Sequence, residues 1–186
     1  MVTDDDGQIV GQVFGFIPGN EKIIYQKSQK EKFNYIEAKS RGEVFPCGDE
    51  VIDYSYIEKF IYETLPSRYD VEIMQVGYDR YNAISTVQKL EAEGLECVEI
   101  KQHSSVLHMP TKLLKESILD RKFSYIRNEM LELNFSNARC TKDTNQNLYV
   151  NKAKSSGKVD MVVALINAIY LLQQDLLYGR EEIVQY

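Results

Sequence analysis

Val71-Glu72-Ile73-Met74-Gln75-Val76-Gly77-Tyr78 is a β-rich run that ends at Asp79. Such residues fit a pleated, half-buried surface, so the run predicts a strand over residues 71–78. The period then changes. Between residues 81 and 93, Ile84, Val87 and Leu90 fall on one face of a helix, and Gly94 stops it. Residues 95–102 read as a second strand. Pro110 opens a further helix to about Arg121, because a missing N–H costs nothing in a first helical turn. Strand, helix, strand, helix is the order of a parallel βαβ unit, and the fold class is α/β.

Working outward, residues 53–65 predict a helix with Ile57, Phe60, Ile61 and Leu65 on one face, ended by Pro66. Residues 20–50 are polar and mixed. They read as an extended excursion with Phe33, Tyr35, Ile36, Val44 and Phe45 to bury. At the start, Asp4-Asp5-Asp6-Gly7 is a turn signal, followed by a strand-like run over residues 8–17 that ends at Pro18-Gly19. A hairpin is therefore expected within residues 1–18, with an unusually short first strand. Downstream, residues 128–135 predict a short helix, and Asn145-Gln146-Asn147 a loop between extended pieces. Residues 160–178 predict a long helix, apolar on nearly all sides through Ile169, which implies burial between layers. Residues 71–178 then form a βαβα core with its buried helix, and residues 1–186 one domain.

At 44% hydrophobic and 27% charged residues, the 186-residue chain has the composition of a globular protein. No apolar run reaches the roughly 18 to 20 residues a membrane span needs, and no signal peptide is visible. Cys47, Cys97 and Cys140 are scattered without metal-ligand spacing and fit a reducing compartment. The net charge of −6 argues against binding nucleic acid with the whole surface. Two windows run the other way. Residues 22–41 carry six Lys or Arg against two acids, and residues 139–158 carry five against one. Either is a solvated face or a phosphate-facing surface.

Two carboxylates stand where chemistry is built. Asp79 lies at the carboxyl end of a predicted parallel strand, where open α/β sheets bind ligands. Asp160 opens the buried helix and is expected near the sheet interior. Each has a plainer explanation as a helix N-cap. If they converge, like charges a few Å apart need a cation between them, and Mg²⁺ or Mn²⁺ held by Asp79 and Asp160 suits metal-assisted phosphodiester cleavage. His103 and His108 lack the neighbours of a hydrolase or zinc site and read as structural. No Walker A or G-x-G-x-x-G motif is present. The 13 tyrosines read mostly as core or interface.

The segment Gly77-Tyr78-Asp79-Arg80-Tyr81-Asn82-Ala83 resembles the strand-end motif of the nuclease domain of phage terminase large subunits. Gly94, Lys101-Gln102, Met109-Pro110-Thr111-Lys112, Asn137, Asn151-Lys152 and residues 157–165 (GKVDMVVAL) continue that family's order of landmarks, as do residues 14–18 (FGFIP) and 54–61 near the start. The resemblance implies an RNase H-like mixed β-sheet flanked by helices. It further implies a divalent-metal-dependent endonuclease that cuts concatemeric double-stranded DNA during genome packaging, working with the portal protein and the terminase small subunit in the bacterial host cytoplasm. On the matching positions, Asp79 and Asp160 are catalytic metal ligands, and Lys152 and Lys158 contact DNA. Gln102 and Asn137 match positions of unassigned role. The family's first carboxylate lies on an opening strand that would precede Thr3, and an ATPase domain would precede that. Weak or absent cleavage by this polypeptide alone is therefore expected. The alternatives are a non-catalytic DNA- or portal-binding fragment of the same fold, or another RNase H-like nuclease or resolvase.

Overall fold

The computed structural model describes residues 1–3, 8–81 and 83–178. Strand β1 (Val2–Thr3) runs antiparallel to β2 (Ile9–Gly11), so the hairpin forms; its expected Asp4-Asp5-Asp6-Gly7 turn lies outside the described residues. Residues 8–17 are not one strand. β2 pairs in parallel with β7 (Phe123–Tyr125), whereas β3 (Gly15–Ile17) pairs in parallel with β4 (Val44–Pro46). The two ladders separate at residues 12–14, where the Asn128 amide donates to the Val13 carbonyl at 3.1 Å and satisfies the exposed backbone.

The segment between β3 and β4 is helical, not extended. Helix α1 (Glu21–Glu31) is capped by Asn20, whose side chain accepts the N–H groups of Lys22 and Ile23. Helix α2 (Tyr35–Ser40) is capped by Asn34, which accepts the N–H of Glu37. Because α1 buries only Ile24, its helical period is faint in the sequence. The two helices form a crossover that joins parallel strands, and Ile17, Ile24, Tyr35, Ala38 and Val44 make a small core beneath it.

Helix α3 (Tyr54–Lys59) starts at Asp53, which accepts the Ser55 N–H at 2.9 Å. It does not stop at Pro66. A π-helical stretch (Phe60–Thr64) leads into α4 (Leu65–Tyr69), and Pro66 sits in the first turn of that segment. The wider π turn renews the helix's start, where proline's missing N–H is tolerated. Phe60, 4% exposed, packs edge-on against Phe14 and Phe16, with ring centroids 5.1 and 5.2 Å away. This aromatic cluster seats the irregular helix on β3 and β4.

The βαβ unit is present. β5 (Val76–Tyr78) and β6 (Cys97–Glu99) are parallel and joined by α5 (Ile84–Ala92), which buries Val87 and Leu90; Gly94 closes the crossover at φ +87°. The regular strand is shorter than residues 71–78 because only residues 76–78 find a ladder partner. Helix α6 (Ser104–Leu119) begins six residues before Pro110, capped by the His103 ring. Pro110 is therefore interior and fully buried rather than opening the helix.

Helix α7 (Glu129–Asn137) follows β7, and β8 (Cys140–Lys142) and β9 (Leu148–Val150) form an antiparallel hairpin. Asp143 anchors its turn, accepting bonds from Ser104, Asn145 and Asn147. Helix α8 (Asp160–Tyr178) is the central element. Its Met161, Val162, Leu165, Ile166 and Ile169 form the main core with Leu114 of α6 and Leu131 of α7. Between Asp160 and Ile169 only Asp160 and Ala164 are exposed, as the all-round apolar pattern requires. Among the described residues no helix is long and apolar enough to cross a membrane.

Candidate active site

Asp79 follows β5 directly and is exposed. It does not cap α5: the N-cap position is Ala83, and no side chain serves it. The Asp79 carboxylate instead accepts the Tyr81 N–H at 3.3 Å, which shapes the turn beyond the strand. Its position at the carboxyl end of a parallel strand is where the sequence puts it.

Asp160 is the first residue of α8, and its side chain is exposed rather than turned to the sheet interior. The cap for this helix comes from elsewhere. Asn134 of α7, 1% exposed, accepts the Met161 N–H at 3.1 Å and donates to the Met130 carbonyl at 2.8 Å. Asn137 holds the approach to the same helix by donating to the Lys158 carbonyl at 3.1 Å and accepting from Ser156 at 3.3 Å. A Cβ on Gly157 would lie 2.6 Å from the Asn137 amide, so only glycine lets the turn lie this close. With that work done by asparagines, the Asp160 carboxylate projects at the mouth of a cleft. An anion there is also favoured by the positive end of the helix dipole.

That cleft, about 230 Å³, brings Asp160 and Lys158 together with Lys27, Glu31 and Tyr35. Lys27 lies 2.7 Å from Glu31 and 5.3 Å from the Tyr35 ring centroid, and the Tyr35 hydroxyl donates to Glu31 at 2.6 Å. Burial pushes the Glu31 carboxyl up, but the bonds from Lys27 and Tyr35 and the charges of Lys27 and Lys158 hold it below its ordinary value. Burial, the bond to Glu31 and the nearby charge of Asp160 push the Tyr35 phenol well up. Lys152 is exposed in the turn after β9 and is not among the residues lining this cleft.

Contacts along α8 relate the two carboxylates. A Cβ on Gly77 of β5 would lie 2.6 Å from Ile100 and 3.0 Å from Leu171. Farther along the strand direction, Gln102 donates to Asn167 at 3.2 Å. The β5–β6 pair therefore runs opposite to α8, and its carboxyl ends are directed toward the end of α8 that carries Asp160. Among the described residues no hydrogen bond or ion pair joins Asp79 to Asp160. Nor do three His, Cys, Asp or Glu side chains group as a metal site.

The histidines are structural. His103 caps α6, and His108 Nδ1 accepts the Leu148 N–H at 2.8 Å. The three cysteines are free thiols. Asn134, absent from the sequence-derived candidates, had one signal: a polar residue among apolar positions of a short helix.

The HK97 bacteriophage large terminase crystal structure superposes with a TM-score of 0.77 at 22% identity, over 90% of this chain and 34% of that one. The chain thus spans about a third of that protein's length. At that identity the likeness establishes the fold, which is the RNase H-like type expected. No curated protein matches the chain. The family model for the terminase large subunit endonuclease domain matches residues 1–175. The chain belongs to the family of phage terminase large subunit nuclease domains.

Proposed function

We propose that this domain hydrolyses double-stranded DNA in a packaging machine, with Asp79 and Asp160 as its catalytic carboxylates. Membership of the endonuclease-domain family over residues 1–175 carries the reading. The geometry adds support: neither aspartate caps a helix, both are exposed, and the β5–β6 strand ends are directed toward the Asp160 end of α8.

Carboxylate oxygens are the donors that Mg²⁺ or Mn²⁺ takes, and Mg²⁺ commonly uses one or two carboxylates with several waters. The donor type therefore fits, although no three such groups cluster among the described residues. A divalent ion would supply an activated water and charge compensation for a leaving oxygen. The chain's own residues do the positioning. Asn134 and Asn137 fix the turn that presents Asp160, and the exposed Lys158 and Lys152 offer ammonium groups to backbone phosphates. In a packaging complex the partners would be duplex DNA, the portal protein and the terminase small subunit, in the host cytoplasm.

Weak cleavage by the 186-residue polypeptide is expected. The test is nicking of supercoiled plasmid in Mn²⁺ by the full chain and by Asp79→Ala and Asp160→Ala. Slow nicking lost in both variants supports the assignment. Robust nicking that survives either substitution removes that residue from the site. Manganese anomalous density bridging the two side chains in a soaked crystal would establish their convergence. Side chains far apart with no bound ion would favour a non-catalytic binding module.

A further inference from the structure

A second cleft, of about 160 Å³, shares the Val13–Phe14 wall with the cleft that holds Asp160. Its lining brings together three arginines that are distant in sequence: Arg41 after α2, Arg68 in α4 and Arg127 before α7. The one carboxylate in the lining is Glu43, which is 5% exposed and already committed. It accepts the N–H groups of Glu129 and Met130 at 3.2 and 3.4 Å and the Arg41 Nε at 2.7 Å. The lining thus holds three guanidiniums and one buried, fully engaged carboxylate, with Glu37 and Glu129 just outside it paired to Arg41 and Arg127 and, among the described residues, none paired to Arg68. The Asp160 cleft, with Lys27 and Lys158 against Glu31 and Asp160, is balanced.

The arginines are not equivalent. Arg41 is held by Glu43, by Glu129 at 3.0 Å and by Glu37 at 3.6 Å, so it is a fixed pole of the site. Arg68 is exposed and lies 5.7 Å from the Tyr69 ring centroid. Arg127 is 81% exposed and makes a 3.5 Å contact with Glu129, a surface pair of little strength. Arg68 and Arg127 therefore keep donors for an incoming anion. Planar guanidiniums suit phosphate oxygens, which they bind through paired N–H donors.

We propose that Arg68 and Arg127, with Arg41 behind them, form a phosphodiester-binding site that holds the DNA backbone beside the Asp160 cleft. This rests on the reading that the domain engages duplex DNA, and it adds a contact surface that the basic windows of the sequence do not contain as a unit: Arg68 and Arg127 lie outside both. A strand held on the arginines would continue past the shared wall toward Asp160.

The test is fluorescence anisotropy of a short labelled duplex with the full chain, in EDTA so that cleavage plays no part, at several salt concentrations. Arg68→Gln and Arg127→Gln should each weaken binding about 3- to 10-fold and lower the slope of log K against log salt by roughly 0.9, the value for one lost phosphate contact. Arg→Lys at the same positions should keep most of the slope. Lys112→Gln, at an exposed cation on α6 that lines neither cleft, should change little. Equal losses from Lys112→Gln would mean diffuse attraction and overturn the site. So would unchanged duplex affinity in the double Arg68→Gln/Arg127→Gln variant. If inorganic phosphate binds the wild type but not that variant while duplex affinity is unaltered, the cleft is a small-anion site and the DNA assignment falls. If the wild type itself binds no duplex at low salt, the proposed function fails for this polypeptide and the arginine site fails with it. Wild-type binding with insensitive arginine variants removes the arginine site alone.

Discussion

Asn134 is a small residue with a large structural task. It is buried in α7 and spends both ends of its amide on backbone, one of them the Met161 N–H in the first turn of α8. Replacing it with leucine keeps the volume but strands that donor, which costs about 1–3 kcal/mol. For a chain of this size the melting temperature should fall by roughly 2–4 °C per kcal/mol, read by thermal denaturation of Asn134→Leu. An unchanged melting temperature would mean that α8 does not depend on this cap. Glu43 has a similar role at the start of α7 and adds a pH dependence. Burial pushes its carboxyl up, but the Arg41 guanidinium and the Glu129 and Met130 N–H groups bring it below the ordinary value. A depressed carboxyl stabilises the fold fully above the unfolded value of about 4.3. That stability is lost as pH falls through the lower folded value. Glu43→Gln should therefore lower stability at pH 7 and flatten its decline below about pH 4.3, measured by urea titrations across pH.

At the scale of elements, the contact between β5 and α8 is made by a missing side chain. Gly77 leaves room for Ile100 and Leu171, and Gly77→Ala would crowd the flexible ends of both. A cost of about 1–3 kcal/mol is expected, the usual range for overpacking, with loss of Mn²⁺-dependent nicking if the displacement moves Asp79. The β8–β9 hairpin depends on a bond from outside itself, the Leu148 N–H to His108. His108→Ala should raise hydrogen exchange at Leu148 and its hairpin neighbours and leave the α8 amides protected. Equal loosening of both would show that the hairpin and the core open together.

Element periods also decided what the sequence could tell. Helix α8 and the β5–α5–β6 unit were legible because burial imposes a strong period on them. Helix α1 buries one residue, Ile24, so the period that would reveal it is missing, and only the caps Asn20 and Asn34 mark the two helices of that crossover. Pro66 and Pro110 misled for a single reason. Proline marks a helix boundary, the end read at Pro66 or the start read at Pro110, only where the flanking backbone does not carry the helix through it. At Pro66 a π turn renewed the helix, and at Pro110 the His103 cap started it earlier. Asp79 and Asp160 were legible as strand-end and helix-start acids. Asn137 was legible as a position without a role, whereas Asn134 and Glu31 were not, because tertiary contacts rather than spacing bring them to Asp160.

At the scale of the whole molecule, the chain presents a net charge of −6 while two clefts that share a wall collect lysines and arginines. Cationic contacts to phosphates predict duplex binding that weakens with salt, and the screened net repulsion makes the fall shallower. Affinity measured between about 50 and 200 mM salt should fall by orders of magnitude if several phosphates are held. A nearly flat response would point instead to contacts with bases or with protein partners.

Helix α8 supplies the apolar stripe against which α6, α7 and β5 all rest. On the ribosome, everything through residue 159 is therefore made before its common support exists. Leu114, Leu131 and Phe123 then lack the α8 side chains that complete their cover in the folded domain. A nascent chain in that state is a natural client for chaperones, and premature termination just before Asp160 would leave an aggregation-prone product rather than a smaller folded one.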